Sequence, residues 1–185
     1  MRKIKTIFKR DLKTRKVLDS FDVEFNFKDA IATEKLDGTN VRLTLRNETC
    51  VRVEKRRNPT KEQKKLGIIE PWYVDCEEAP ENKWIIDAVK NTSFIGVADG
   101  EYSGEALGKS IQGNPLNLEG HTVFLFTVPS KLERIVFDDV PTTYNELKEW
   151  LPKQKSKFGN NCGIEGIVWH NLINGDMVKI KLKDF

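Results

Sequence analysis

The stretch that most constrains the fold is ATEKLDGTNVRLTL, Ala32 to Leu45, in which two β-type runs flank a short polar bend. Ile31 to Leu36 and Val41 to Arg46 are rich in the residues that favour strands. Between them lies Asp37-Gly38, a dipeptide typical of tight hairpin turns because glycine tolerates a positive φ. The pattern predicts a hairpin that places one lysine, Lys35, at the edge of its turn.

The same bend is unusually dense in reactive groups: an amine, two carboxylates, a hydroxyl and an amide come from Glu34, Lys35, Asp37, Thr39 and Asn40. A lysine amine is a nucleophile only when it is deprotonated, and nearby cations or a desolvated cleft favour that neutral form. The spacing K-x-D-G therefore indicates either a covalent-catalysis site or an ordinary Asp-Gly hairpin beside a solvated lysine. The stretch alone leaves both interpretations open.

Composition limits the broad class of protein. The chain has 185 residues, 38% hydrophobic and 32% charged, which is typical of a single soluble domain. No apolar run approaches the ~20 residues of a membrane span, and the basic first 16 residues lack the apolar core of a signal peptide. Three separated cysteines and two distant histidines argue against a disulfide framework or a zinc site. We expect a cytoplasmic protein whose cysteines and histidines are structural.

Charge is unevenly distributed although the net charge is only +3. Arg2 to Lys16 holds eight basic residues and one acid, and a second basic stretch runs from Arg52 to Lys65. Acids gather between Glu70 and Glu81. Such segregation indicates either a face that attracts phosphates or simply solvated loops.

Alternation and turn signals predict an α+β fold of antiparallel sheets with a few flanking helices. We expect a β-meander through Thr49 to Lys55, a long irregular loop from Asn58 to Pro80 and a helix over about 82–90. Strands are expected over 94–105 and 122–128. Further on, Thr143 and Glu146 predict a capping box that opens a helix ended by Pro152. A terminal hairpin is expected from Gly163 to Trp169 and Met177 to Phe185, joined by Asn174-Gly175.

The last strand, MVKIKLKDF, alternates lysines with apolar residues, so Lys179, Lys181 and Lys183 should share one face. A lysine-rich edge strand that prevents aggregation would show the same pattern. Glu165 on the expected partner strand favours a different interpretation, because Gly166 beside it would allow a ligand to approach closely. Two lysines and one carboxylate would then hold a phosphate and a metal ion.

Six stretches, taken together and in order, resemble the covalent nucleotidyltransferase superfamily of polynucleotide ligases and mRNA capping enzymes, and most closely its ATP-dependent RNA ligases. The stretches are EKLDGTN (34–40), RRNP (56–59), the glycine–glutamate region from Gly100 to Pro115, FLF (124–126), EGIV (165–168) and VKIKLKDF (178–185). The resemblance implies one nucleotidyltransferase (ATP-grasp-like ligase) domain over residues 1–185, without the C-terminal OB or helical module of most relatives.

The resemblance also implies a role for each matching residue. Lys35 would be the nucleophile that carries AMP, Glu165 the ligand of Mg²⁺ or Mn²⁺, and Lys179 and Lys181 the phosphate contacts and, with Lys35, the catalytic group. The ribose acid would be Glu105 or its rival Glu101. The remaining residues expected at the nucleotide are Glu34, Asn40, Arg56 and Phe126, with Phe124 in reserve for stacking on adenine.

The implied function is an ATP-dependent RNA ligase, acting as a monomer, that joins 5′-phosphate and 3′-hydroxyl ends through lysyl-AMP. Alternatives are a capping-type guanylyltransferase, a DNA ligase core, or a non-enzymatic basic β-domain that binds nucleic acid. Relatives that act on DNA usually carry arginine where this chain has Asn40. RNA sealing, unlike adenylylation, is therefore expected to depend on Asn40.

Overall fold

The computed structural model describes residues 3–185, so Arg2 of the first basic stretch lies outside the described residues. Twelve strands and four α-helices occur among the described residues. The strands are β1 Lys5–Thr6, β2 Phe8–Arg10, β3 Val17–Phe21, β4 Ala30–Glu34, β5 Thr39–Arg46, β6 Thr49–Arg57, β7 Trp72–Asp75, β8 Gly100–Gly108, β9 His121–Leu125, β10 Val136–Phe137, β11 Gly166–Asn171 and β12 Met177–Lys181. The helices are α1 Lys61–Lys65, α2 Lys83–Lys90, α3 Pro129–Leu132 and α4 Tyr144–Trp150. Short 3₁₀ turns cover Pro80–Asn82, Glu133–Ile135, Leu151–Lys153 and Leu182–Asp184.

The chain forms two compact units. The Lys35 unit comprises Ile4–Leu36 and Glu133–Phe185, and the Asn40 unit consists mainly of Asp37–Leu132. The chain therefore passes from the first unit into the second at the Leu36–Asp37 peptide. Both units are built largely from antiparallel strands with few helices, in agreement with the predicted fold class.

The predicted hairpin around Lys35 is wrong, because β4 and β5 do not pair with each other. β4 lies between β11 and β10 in one sheet, whereas β5 lies between β6 and β8 in another. Gly38 has no positive φ. A Cβ placed on it would lie 2.3 Å from the Ala106 carbonyl oxygen, so glycine is required there for close approach to β8.

The Lys35 unit contains a five-stranded sheet of order β1-β12-β11-β4-β10 and the small antiparallel pair β2-β3. Only β1 and β12 are paired in parallel among its described strands. One face of the larger sheet is apolar, and its fully buried residues include Ile167 and Ile180. Leu147 of α4 and Leu151 belong to the same core. Because side chains alternate along a strand, the neighbours of these residues on β4, β11 and β12 occupy the opposite face.

The Asn40 unit contains a five-stranded antiparallel sheet of order β7-β6-β5-β8-β9. Val41, Leu43 and Leu45 of β5 are fully buried in a core that includes Ile85 and Ala88 of α2. The predicted helix over 82–90 is thus confirmed as α2. The intervening residues of β5, with those opposite them on β6 and β8, form the polar face of this sheet.

Several local predictions need correction in the Asn40 unit. The β5–β6 hairpin is confirmed, and its turn residues Asn47 and Glu48 both have positive φ, at 48° and 58°. The expected loop over 58–80 instead contains α1 and β7, which pairs with β6. The strand expected over 94–105 begins only at Gly100 and continues to Gly108. β9 ends at Leu125 rather than at residue 128.

The C-terminal predictions are right in outline and wrong in detail. Helix α4 begins after Thr143 as expected, but the Thr143 hydroxyl donates to the Glu146 carboxylate at 2.6 Å and does not cap the backbone. The β11–β12 hairpin is confirmed. Its second strand ends at Lys181, however, and Leu182–Asp184 forms a 3₁₀ turn. No helix in residues 3–185 is long and apolar enough to cross a membrane.

Candidate active site

Lys35 is fixed at the end of β4 by a hydrogen bond to the neighbouring strand. Its N–H donates to the Gly166 carbonyl oxygen at 2.9 Å, which extends the β4–β11 pairing by one residue. On the other side of β11, Gly166 is opposite Lys181 of β12. The register thus places two lysines on either side of one glycine, on the sheet face opposite the apolar core.

Both lysines converge on Glu165, which directly precedes β11. Lys35 Nζ lies 2.6 Å from Glu165 Oε2, and Lys181 Nζ lies 2.5 Å from Glu165 Oε1. The exposed side-chain fraction is 20% for each lysine and 10% for the carboxylate. The arrangement is a partly buried two-to-one ion cluster with one net positive charge, and we call it the lysine cluster.

The electrostatics of Glu165 reflect two opposing effects. Burial alone would raise the pKa of its carboxyl, but the ammonium charges and hydrogen bonds of Lys35 and Lys181 outweigh burial and lower the pKa. Glu165 is therefore an anion at neutral pH, and it holds both amines close to each other. Such a cluster is suited to attract a phosphate, because its excess charge is positive and poorly hydrated.

Two expectations about the neighbours of this cluster are corrected. A Cβ on Gly166 would lie 2.0 Å from the Ile180 carbonyl oxygen, so this glycine permits close strand pairing rather than ligand approach. Lys179 is half-buried and shares the sheet face of Lys181, as predicted from alternation. Lys183 lies in the 3₁₀ turn after β12 and is exposed, so it does not continue the row.

Glu34 precedes the nucleophile candidate but points away from it. The side chain is 1% exposed, and it accepts hydrogen bonds from Ser156 Oγ at 2.5 Å and from the Lys157 N–H at 2.7 Å. Burial raises the pKa of Glu34, and these hydrogen bonds only partly offset that effect. The carboxylate therefore anchors the segment around Ser156. Its expected contact with a nucleotide stays a prediction.

Asn40 and Glu105 meet on the polar face of the other unit's sheet, where β5 and β8 pair. Asn40 Nδ2 donates to the Gly104 carbonyl oxygen at 3.0 Å and lies 3.4 Å from Glu105 Oε2. Glu105 is 9% exposed and is opposite Phe124 of β9. Tyr73 Oη also donates to Asn40 Oδ1, at 2.9 Å. The structure thus brings two of the predicted site residues into one hydrogen-bonded group.

The rival acid, Glu101, lies on the same strand face four residues earlier, opposite Thr44. Its carboxylate is 55% exposed and is 3.8 Å from Arg42 Nη1. Arg42 itself forms a bidentate pair with the buried Glu54, at 2.7 and 2.8 Å. Glu101 therefore belongs to a surface charge network and Glu105 to the Asn40 group.

Arg56 and Phe126 occupy the same unit with less contact to Asn40. Arg56 is exposed on β6, opposite Tyr73, and no ion pair involves it within residues 3–185. Phe126 follows the end of β9, and its N–H donates to the Ser103 carbonyl oxygen at 3.1 Å. The Phe126 ring is half-buried, with its centroid 5.6 Å from that of Phe124. Alternation places both rings on the sheet face of Glu105, where Phe124 is 2% exposed and Phe126 is the more accessible ring.

Sequence reasoning missed Tyr73 because it lies in the stretch expected to be an irregular loop. The run of three strand-favouring residues in WYVD, residues 72–75, was the local signal for β7. Over residues 3–185, no group of three or more His, Cys, Asp or Glu side chains is arranged to hold a metal. His170 Nε2 is 2.9 Å from Thr33 Oγ1, and burial lowers the His170 pKa.

No protein-family model and no curated protein matches the chain. Solved structures of Naegleria gruberi RNA ligase do match it. A mutant with AMP and Mn is 18% identical, with a TM-score of 0.51, and the match covers 85% of this chain and 51% of that one. A mutant with ATP and Mn is 19% identical, with a TM-score of 0.50, and the match covers 84% and 50%. This chain thus spans about half the length of those proteins.

The fold is distantly similar to that of RNA ligases. At this level of identity the likeness concerns the fold alone, and it agrees with the nucleotidyltransferase-type domain expected from the sequence.

Proposed function

We propose that the chain is an ATP-dependent RNA ligase that forms lysyl-AMP on Lys35. AMP is then passed to the 5′-phosphate of an RNA, and a 3′-hydroxyl displaces it to seal the strand. The observation that carries this proposal is the lysine cluster, in which Lys35 and Lys181 flank Glu165 at 2.6 and 2.5 Å. The similar folds of RNA ligases that hold ATP or AMP with Mn support it.

In the first step, Lys35 Nζ attacks the α-phosphorus, so that an N–P bond forms, the P–O bond to pyrophosphate breaks and the amine loses a proton. Negative charge builds up on the phosphate oxygens and the leaving group, and fixed cations nearby lower the barrier. Lys181 and Lys179 supply such cations from one sheet face. Lys35 Nζ is ion-paired with Glu165 at 2.6 Å, so the amine must leave this ion pair and give a proton to solvent before it attacks.

Glu165 is also the carboxylate expected to hold Mg²⁺ or Mn²⁺. These hard ions commonly bind one or two protein carboxylates and complete their coordination with substrate phosphates and water. A single buried, ionised glutamate fits that habit, and the absence of a three-ligand cluster in residues 3–185 does not conflict with it. When bound, such an ion would neutralise charge on the phosphate oxygens.

We assign recognition of the nucleoside to the Asn40 unit. Glu105 is proposed as the acid that binds the ribose, in preference to Glu101, because Glu105 is only 9% exposed and its carboxylate contacts the Asn40 amide. A carboxylate accepts hydrogen bonds from ribose hydroxyls, whereas an apolar side chain does not. Phe126 is proposed to stack on the adenine and Arg56 to contact phosphate. A single nucleotidyltransferase domain, a monomeric state and a cytoplasmic location stay predictions.

The test is covalent labelling. The protein is incubated with α-labelled ATP, GTP or NAD and with Mg²⁺ or Mn²⁺, then denatured. We expect label from ATP to survive denaturation and to move to a 5′-phosphorylated RNA. Label from GTP alone would indicate a capping-type guanylyltransferase, and transfer only to nicked DNA a DNA ligase core. Nucleic-acid binding without any label would indicate the non-enzymatic β-domain.

A further inference from the structure

The side chain of Asn40 is held on both sides by the protein itself. Its Oδ1 accepts from the Tyr73 hydroxyl at 2.9 Å. Its Nδ2 faces the Gly104 carbonyl oxygen at 3.0 Å and Glu105 Oε2 at 3.4 Å. Only one orientation of the amide suits these neighbours, because a flipped amide would place its oxygen against two acceptors. Tyr73 must therefore donate, and it is the only one of the three neighbours that can.

The Tyr73 ring is in turn fixed by Arg42. The guanidinium carbon of Arg42 lies 4.7 Å from the ring centroid, a cation–π distance. Arg42 cannot easily rotate away, because it makes two hydrogen bonds to Glu54, whose side chain is 3% exposed. The hydroxyl of Tyr73 is thereby presented to Asn40 from a strand, β7, whose pairing with β6 fixes its backbone.

We infer that Tyr73 is a positioning residue that, through the Asn40 amide, sets the Glu105 carboxylate in the orientation that accepts the ribose hydroxyls of ATP. This inference rests on the proposed function and deepens it. Asn40, which the sequence places among the residues at the nucleotide, then acts in nucleotide loading as well as in sealing, whereas the sequence predicts that only sealing depends on it. The amide contributes no charge, and its role is to help orient Glu105 through the contact of Nδ2 with Oε2 at 3.4 Å.

The experiment compares Tyr73→Phe with wild type, using Tyr102→Phe as the matched control. Tyr102 lies on β8 of the same sheet, and its hydroxyl also donates one hydrogen bond, at 2.8 Å, but to the Ala98 carbonyl oxygen. Each variant removes one hydroxyl and keeps the ring. The rate of labelling of Lys35 is measured over a range of concentrations of ATP, 2′-deoxy-ATP and 3′-deoxy-ATP, and thermal unfolding checks that all proteins fold.

For Tyr73→Phe we expect kcat/KM with ATP to fall about 3- to 10-fold, which corresponds to the loss of one hydrogen bond. The fall should appear mainly as an increase in KM. With the deoxy-ATP that lacks the contacted hydroxyl, the fall in kcat/KM should be much smaller. The ratio of kcat/KM for ATP to kcat/KM for that deoxy-ATP, which measures discrimination, should therefore decrease. If Tyr73 had only a structural role, its replacement would lower kcat/KM equally for both nucleotides. Tyr102→Phe should leave discrimination unchanged. In a Glu105→Gln background, Tyr73→Phe should have little further effect on discrimination.

The outcomes separate this inference from the proposed function. Wild type that labels with ATP, together with a Tyr73→Phe variant that discriminates as well as wild type, overturns the positioning role and leaves the ligase proposal intact. Equal changes in Tyr73→Phe and Tyr102→Phe overturn it as well. Wild type that takes no label from any nucleotide overturns the proposed function, and the ribose role of Tyr73 with it.

Discussion

The proposed reaction depends directly on the Lys35 side chain, since its Nζ would form the bond to phosphorus. We predict that Lys35→Ala loses covalent labelling while remaining folded, because the amine that forms the bond to phosphorus is absent. Lys35→Arg should fail equally, because a guanidinium is not deprotonated near neutral pH. Labelled protein after denaturation is the measurement, and thermal unfolding is the control. Persistent label in either variant would place the nucleophile elsewhere.

Two substitutions of Glu34 test whether its buried carboxylate stabilises the fold. Glu34→Ala would leave the Ser156 hydroxyl and the Lys157 N–H without their acceptor and should cost about 1–3 kcal/mol of unfolding free energy. In Glu34→Gln, the amide oxygen can still accept from the Lys157 N–H, but Ser156 Oγ already accepts from the Phe158 and Gly159 N–H groups and cannot accept from the amide N–H as well. The loss of stability at neutral pH should therefore be smaller than in Glu34→Ala, because one of the two hydrogen bonds is kept. Chemical denaturation of both variants measures the difference, and equal losses would contradict the anchoring role.

The pH dependence of Glu34 has a definite sign. Because burial raises its pKa above the ordinary 4.5, the folded state binds its proton more readily than the unfolded state does. The penalty for the buried charge is therefore fully present at neutral pH and is relieved as pH falls toward the ordinary value. Relative to Glu34→Gln, wild type should gain stability as pH is lowered from 7 to 5. The opposite trend would mean that the hydrogen bonds outweigh burial.

At the scale of strands and turns, the period-2 alternation could predict which side chains share a face but not which strands pair. Lys179 and Lys181 share a face as expected, yet the Asp37-Gly38 signal for a hairpin failed. A turn dipeptide favours local pairing only when no better partner exists, and β4 is instead paired on both edges, by β11 and β10. Partner choice depends on burial of the whole sheet, which a local window does not contain.

The same limitation explains the site residues that sequence missed. Glu165 and the lysines were identified through a motif, and the structure adds the ion-pair distances between them. Tyr73 belongs to no motif and lies in a four-residue strand within a polar, proline-containing stretch. Its link to Asn40 joins residues 33 positions apart, so only the β5–β6–β7 pairing reveals it.

The end of β12 at Lys181 yields a prediction about that strand. Lys181→Ala should slow adenylylation by roughly 30- to 1000-fold, because a charged donor is removed from a poorly hydrated phosphate site, and Lys179→Ala should act in the same direction. Lys183→Ala is the matched control, since this lysine is exposed in the 3₁₀ turn. Single-turnover labelling rates decide. A Lys183→Ala rate as low as that of Lys181→Ala would show that the functional row extends beyond the strand.

For the molecule as a whole, the distribution of charge should determine how it holds a polymer. Helix α1 carries three exposed lysines within five residues, Lys61, Lys64 and Lys65, inside the second basic stretch. If these lysines contact phosphates, RNA binding should be weak and should fall steeply with salt. The logarithm of the binding constant should decrease with the logarithm of the salt concentration by a slope of about 0.7 per phosphate contact for a single strand. A solvated loop of the same composition would show no such dependence.

We therefore predict that the triple variant Lys61→Gln, Lys64→Gln, Lys65→Gln binds 5′-phosphorylated RNA more weakly than wild type at low salt and lowers the salt slope by about 2. Its labelling with ATP should be unchanged, because none of these lysines belongs to the lysine cluster. The matched control replaces three exposed lysines outside the basic stretches, Lys90, Lys148 and Lys153, with glutamine. It removes the same net charge, so an equal loss of binding would indicate a general effect of charge rather than local contacts between α1 and the RNA.

Sealing of 5′-phosphorylated RNA and of an all-DNA analogue is compared at low salt, with enzyme already loaded with AMP. RNA should be sealed faster, since 2′-hydroxyls distinguish its ends, and faster sealing of DNA would overturn the RNA assignment.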